Sequence, residues 1–131
     1  MSEILQPEGW AFPKGYSNGI ATHGRLIVTA GQIGWNPETC QFETDDFAAQ
    51  TAQALKNVVA VLREAGAEPR HLVRLTWYVT DKAAYLASQR EIGRAYREVI
   101  GKHFPAMSVV VVAGLLEDRA KVEIEGTAVV G

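Results

Sequence analysis

Disulfide chemistry is closed to this chain, because Cys40 is its only cysteine. A lone thiol in a polar turn excludes a crosslinked framework and fits a reducing, cytoplasmic setting. No apolar run is long enough to span a bilayer, and no basic-then-apolar leader opens the sequence. The expectation is a cytoplasmic protein without a membrane partner. Positive charge is not in excess either: 13 Lys and Arg stand against 15 Asp and Glu, a formal net charge of −2. The basic footprint of a nucleic-acid binder is missing, so no nucleic acid is expected as a partner. His23, His71 and His103 are scattered without ligand-like spacing, and no metal is expected. Gly31-Gln32-Ile33-Gly34 is too short and wrongly placed for a phosphate-binding glycine loop. Ser17 and Ser108 have no neighbouring base in sequence, which weighs against a serine nucleophile.

What remains is an ordinary composition, 47% hydrophobic and 21% charged over 131 residues. That length supports one domain, 1–131, with a core that needs no staples. Pro7, Gly9, Pro13 and Gly15 punctuate an extended lead-in. Strands are predicted over about 16–22 and 25–30, joined by a hairpin turn at His23-Gly24. An irregular loop then runs from Gly31 to Thr44. Thr44 as N-cap, Asp45 and Asp46 at the positive end of the dipole, and Gly66 beyond the end frame a first helix. Its apolar stripe is Phe47, Thr51, Ala54, Leu55, Val58, Val61, Leu62 and Ala65.

A strand is predicted over 72–80, with Val73, Leu75, Trp77 and Val79 on one face and Arg74, Thr76, Tyr78 and Thr80 on the other. Asp81 caps a second helix whose inward stripe runs Tyr85, Leu86, Gln89, Ile92, Tyr96 and Ile100 up to Gly101. Strands over about 107–113 and 120–130 close the chain. The order β-β-α-β-α-β-β implies an α+β domain: one mixed sheet with two helices on one face. The other face, carrying either Met107, Val109 and Val111 or Ser108, Val110 and Val112, is apolar in both registers. A monomer would expose it, so burial between copies is expected. Glu123 and Glu125, two apart in the last strand, point to one sheet face, where an ionised group needs water, a partner or a role.

Several stretches, in order, carry a resemblance. They are Tyr16-Ser17-Asn18, Ala30-Gly31-Gln32-Ile33, Gln53-Ala54-Leu55-Lys56-Asn57-Val58 and Val73-Arg74-Leu75-Thr76-Trp77-Tyr78-Val79-Thr80-Asp81. Phe104-Pro105-Ala106-x-Ser108 and Lys121-Val122-Glu123-Ile124-Glu125 follow. Over essentially its whole length the chain resembles the RidA (YjgF/YER057c/UK114) family. The resemblance implies a chorismate-mutase-like fold, a homotrimer with clefts between neighbouring subunits, and hydrolysis of reactive imines and enamines without metal or cofactor. It gives the water-activating glutamate to Glu123 and the cleft-shaping tyrosine to Tyr16, with Gly31, Gln32 and Ile33 as the backbone loop. Gln89 stands where a ligand-facing asparagine is common, and Val109 where a small polar residue or cysteine is common. The arginine that grips a substrate carboxylate falls on Met107.

A guanidinium holds a carboxylate through two charge-assisted bonds, and a thioether donates none. Losing both costs roughly 3 kcal/mol or more, about two orders of magnitude in affinity. Small imino acids such as 2-aminoacrylate are therefore expected to be poor substrates, and a bulkier, less charged or aromatic imine or enamine a better one. Met107 and Trp35 both suit an aromatic-friendly cleft. Two functions remain open: an imine or enamine deaminase using Glu123, and a non-catalytic small-molecule-binding or regulatory trimer of the same fold. The acidic balance counts against ribonuclease action, a third activity implied for some relatives.

Overall fold

A computed structural model describes residues 2–131. Strands β1 (Glu3–Leu5) and β2 (Gly19–Ala21) form an antiparallel two-stranded ribbon. The main sheet contains β3 (Arg25–Val28), β4 (Gln32–Ile33), β5 (Leu72–Val79), β6 (Ala106–Val111) and β7 (Val122–Val130). Its order is β3-β7-β5-β6, with β4 also on β7. Only β5 and β6 run parallel, so the sheet is mixed. Helices α1 (Phe47–Glu64), α2 (Lys82–Ala87) and α3 (Gln89–Val99) supply its covered face. This is the predicted α+β arrangement.

The core lies between α1, α3 and the sheet, where Leu55, Val58 and Leu62 meet Leu72, Leu75, Val122 and Ile124. Each fully buried leucine there stabilises the fold by ~1.5–3 kcal/mol. Two polar side chains interrupt the apolar stripe of α1, and both are satisfied. Gln50 donates to the Thr44 and Arg119 carbonyls and accepts from the Lys121 amide. Asn57 donates to the Ile33 and Trp35 carbonyls and accepts from Gln53.

Several local expectations are corrected. No hairpin forms at His23-Gly24: β2 pairs with β1, inside the supposed lead-in, and β3 pairs with β7. Long-range pairing wins because β7 buries alternate residues along its whole length and needs a neighbour on that edge. The N-cap of α1 is Asp46, whose carboxylate accepts from the Ala49 amide, while Thr44, two residues earlier, accepts from the Asp46 amide. A bulge between Leu72 and Arg74 shifts the alternation of β5, so Leu72 rather than Val73 joins Leu75, Trp77 and Val79 inside. The second helix breaks at Ser88, whose amide bonds back to Tyr85 in a tight last turn. The break leaves Leu86 and Gln89 exposed instead of inward.

The sheet's open face carries Leu26 and Val28 of β3, Arg74, Thr76 and Tyr78 of β5, and Ser108 and Val110 of β6. Glu123, Glu125, Thr127 and Val129 of β7 complete it. It is mixed rather than wholly apolar, since charges and a phenol sit among Leu26 and Val28, each 65% exposed. Met107, Val109 and Val111 belong to the helix-covered side.

Candidate functional site

The residues singled out from the sequence gather in two places. The first lies on the open face around Glu123. Strand β7 places Glu123 opposite Tyr78 on one side and Ile33 on the other. Its side chain leans over Gly31 so closely that a β carbon there would collide with Oε2. Gly31 is therefore the residue that lets the loop pass under the carboxylate. Asn57 fixes the loop by holding the carbonyls of Ile33 and Trp35. At its start, Thr29 replaces a ladder residue: its amide donates to the Gly126 carbonyl and its hydroxyl accepts from the Gly126 amide. Glu123, Gly31, Gln32 and Ile33 are thus brought together.

The two glutamates differ in engagement. Glu125 accepts the Tyr78 hydroxyl at 2.6 Å. That bond, followed by burial and the nearby Glu125 and Glu123 charges, raises the Tyr78 pKa, with Arg74 opposing. Glu123 has no hydrogen bond or ion pair among the described residues. A carboxylate without a protein partner is able to accept a proton from water or ligand.

The second place is a groove of about 410 Å³ on the helix-covered side, along β6. Met107 and Val109 form its strand wall, and Tyr85, Gln89, Ile92 and Arg97 its helical wall. Trp77, Tyr96 and Phe104 supply aromatic surface, and Lys14 stands at the N-terminal segment. An adjoining hollow of about 310 Å³ adds Tyr16. Ser17 sets that tyrosine in place, since its hydroxyl donates to the Phe104 carbonyl and its amide to the Pro105 carbonyl. Tyr96 donates to the His103 carbonyl, anchoring the turn into β6. Burial raises the pKa of Tyr85 and, further, that of Tyr96. Gln89, Met107 and Val109 therefore share this groove, with Tyr16 in the hollow beside it.

Met107 pairs with Leu75, and Glu123 with Tyr78, so the two side chains emerge on opposite faces of one sheet. Within one protomer the two groups of residues do not face each other. Trp35 belongs to neither: its ring packs on Phe42 at 5.8 Å. Trp77 is 3% exposed and packs in the core. A slightly larger hollow, about 430 Å³, adjoins the chain end. Its His71 and His103 are committed to the Glu68 amide and the Leu72 carbonyl. Among the described residues no set of three or more His, Cys, Asp and Glu could hold a metal, and no helix is long and apolar enough to cross a membrane.

Sequence reasoning missed Gln50, which ties α1 to the segment before β7, and Asn57 and Ser17, which hold these two places. The available signal for the first two was an amide side chain within an apolar helical stripe.

Residues 11–130 match the endoribonuclease L-PSP family. The chain is 38% identical to 2-iminobutanoate/2-iminopropanoate deaminase of Escherichia coli K12 over 109 residues, 81% of this chain and 80% of that one. Its fold is similar to YyfB of the conserved Rid family from Yersinia pestis, with a TM-score of 0.86 and 32% identity, covering 98% of each. It is also similar to E. coli TdcF with bound serine, with a TM-score of 0.71 and 29% identity over 98% of this chain and 99% of that one.

Proposed function

The chain belongs to the endoribonuclease L-PSP (YjgF/RutC/RidA) family, and from that premise we propose that it hydrolyses a reactive imine or enamine to a carbonyl compound and ammonia. The supporting observation is Glu123, a carboxylate with no protein partner, held above Gly31 beside the Gly31–Ile33 backbone. A deaminase acting on 2-iminobutanoate and 2-iminopropanoate is among its relatives.

In the proposed reaction Glu123 takes a proton from water as the oxygen bonds to the imine carbon, the C=N pair moves to nitrogen, and Glu123 passes the proton on to that nitrogen. Collapse of the resulting carbinolamine forms the C=O bond and breaks the C–N bond, releasing ammonia. The Gly31–Ile33 backbone orients the reacting group, and Tyr16 lines the approach. Because the groove and Glu123 lie on opposite sheet faces, the complete site needs the groove of one copy against the Glu123 of another. A homotrimer provides that arrangement, with Leu26 and Val28 of the open face buried between copies.

With Met107 and Val109 where the resemblance expects an arginine and a small polar residue, the groove favours a bulky apolar or aromatic imine over 2-aminoacrylate. The test is semicarbazone trapping of imines generated enzymatically from small and from aromatic amino acids. Faster turnover of the bulky imine, lost in Glu123→Ala, supports the reading. Saturable binding without turnover would replace it with the non-catalytic binding trimer. Met107→Arg should raise activity on small imino acids, and no gain would count against residue 107 as the former anchor point.

A further inference from the structure

We propose that Arg97 is the carboxylate anchor of the β6 groove, and that the groove's occupant is an aromatic 2-imino acid or the matching 2-keto acid. The identity of the reacting group rests on the hydrolase reading above; recognition of a ring and a carboxylate rests on the groove itself.

The electrostatic argument comes first. The chain has a formal net charge of −2, yet no Asp or Glu of the same copy lines this groove, whereas Arg97 and Lys14 both do. Neither cation forms an ion pair among the described residues; the ion pairs found are Arg63–Glu68 and Arg119–Asp45. Two cations with no acid of their own copy beside them leave the hollow positive even next to one Glu123 of a neighbouring copy, and so attract an anion. Arg97 stands in the last turn of α3, where a cation also complements the helix dipole. That role leaves the planar donor fork free, and the fork matches a carboxylate bidentately where an ammonium does not.

The ring argument is independent. Trp77 and Tyr96 stack with centroids 6.4 Å apart, and Tyr96 and Phe104 at 5.5 Å and 11°. Phe104 ends the series and is 37% exposed, so a ligand ring can extend it, with the Met107 thioether alongside. Trp77 also holds a buried indole N–H without a partner, the only such side-chain atom among the described residues.

The test uses unreactive probes on the intact protein. 3-Phenylpropanoate has the skeleton of an aromatic 2-imino acid, 3-phenylpropanamide lacks its charge, and propanoate lacks its ring. Calorimetry should show the first binding about tenfold or more tighter than either control, with a shift of the Trp77 indole N–H resonance. Arg97→Ala should abolish the preference over the amide, and Arg97→Lys should keep part of it. Equal binding of acid and amide by the unaltered protein, or an undiminished preference in folded Arg97→Ala, overturns the proposal. Failure of the hydrolase reading looks different: the acid still binds through Arg97, but no imine is turned over.

Discussion

The carboxylate of Glu123 lies over the α carbon of Gly31 with no room for a methyl group between them. In Gly31→Ala the new β carbon would press on Oε2, Cδ and Cγ, all on a flexible side chain rather than on backbone. The fold should therefore survive, with a stability change below about 1 kcal/mol, while the carboxylate is displaced. A shift on that scale lowers kcat/KM by about 10–100-fold. Steady-state kinetics beside a urea unfolding curve check this. Full activity in Gly31→Ala would mean that the position of Glu123 over the loop has no part in turnover.

Opposite-face placement of Met107 and Glu123 makes a prediction about mixed assemblies. Glu123→Ala should be inactive through its acid, and Val109→Trp through a filled groove. Co-refolded in equal amounts, the two should recover activity, because some junctions then join an open groove to an intact Glu123. For randomly assorted rings of the proposed homotrimer the ceiling is about a quarter of wild-type activity. No recovery in verified mixed rings would place the whole site within one copy.

Much of this was legible in the sequence, for reasons that differ by element. The stripe of α1 and the alternation of β7 each repeat often enough to fix which side is buried. The division of the named residues between two faces needed the register, since Met107 and Ser108 exchange faces with a one-residue slip. The partner of β2 was not legible, because a short strand beside a glycine turn reads as a local hairpin whatever distant strand competes for it. Nor were Asn57 and Ser17, whose roles depend on carbonyls 24 and 87 residues away in sequence.

Asn57 gives a prediction about the loop rather than the acid. It is 4% exposed, and its amide nitrogen serves the carbonyls of Ile33 and Trp35 while its oxygen accepts from Gln53. Asn57→Asp turns a donor into a third oxygen facing two carbonyls, so repulsion replaces two hydrogen bonds. The expected cost is ~2–4 kcal/mol, read as a lower urea midpoint at neutral pH. Protonating the new carboxyl restores a donor, so the gap to wild type should narrow as pH falls toward 5. A gap independent of pH would assign the loss to shape alone.

At the alkaline end the phenols should govern stability. Tyr96 and Tyr85 have raised pKa values through burial, and Tyr78 chiefly through its bond to Glu125. Each is harder to ionise in the folded chain than in the unfolded one, where tyrosine titrates near about 10. A raised folded pKa means that the stabilisation is complete below the unfolded value and is lost as pH climbs past it. The urea midpoint should hold up to about pH 9 and fall steeply above 10. Most tyrosinate absorbance should then appear together with unfolding rather than before it. In Tyr78→Phe the hydroxyl bond to Glu125 is gone, so its part of the alkaline fall should disappear while the larger part, from Tyr96, remains. Ionisation of all these phenols at ordinary pH in a chain still folded by circular dichroism would contradict the packing of Tyr96 against Trp77 and Phe104.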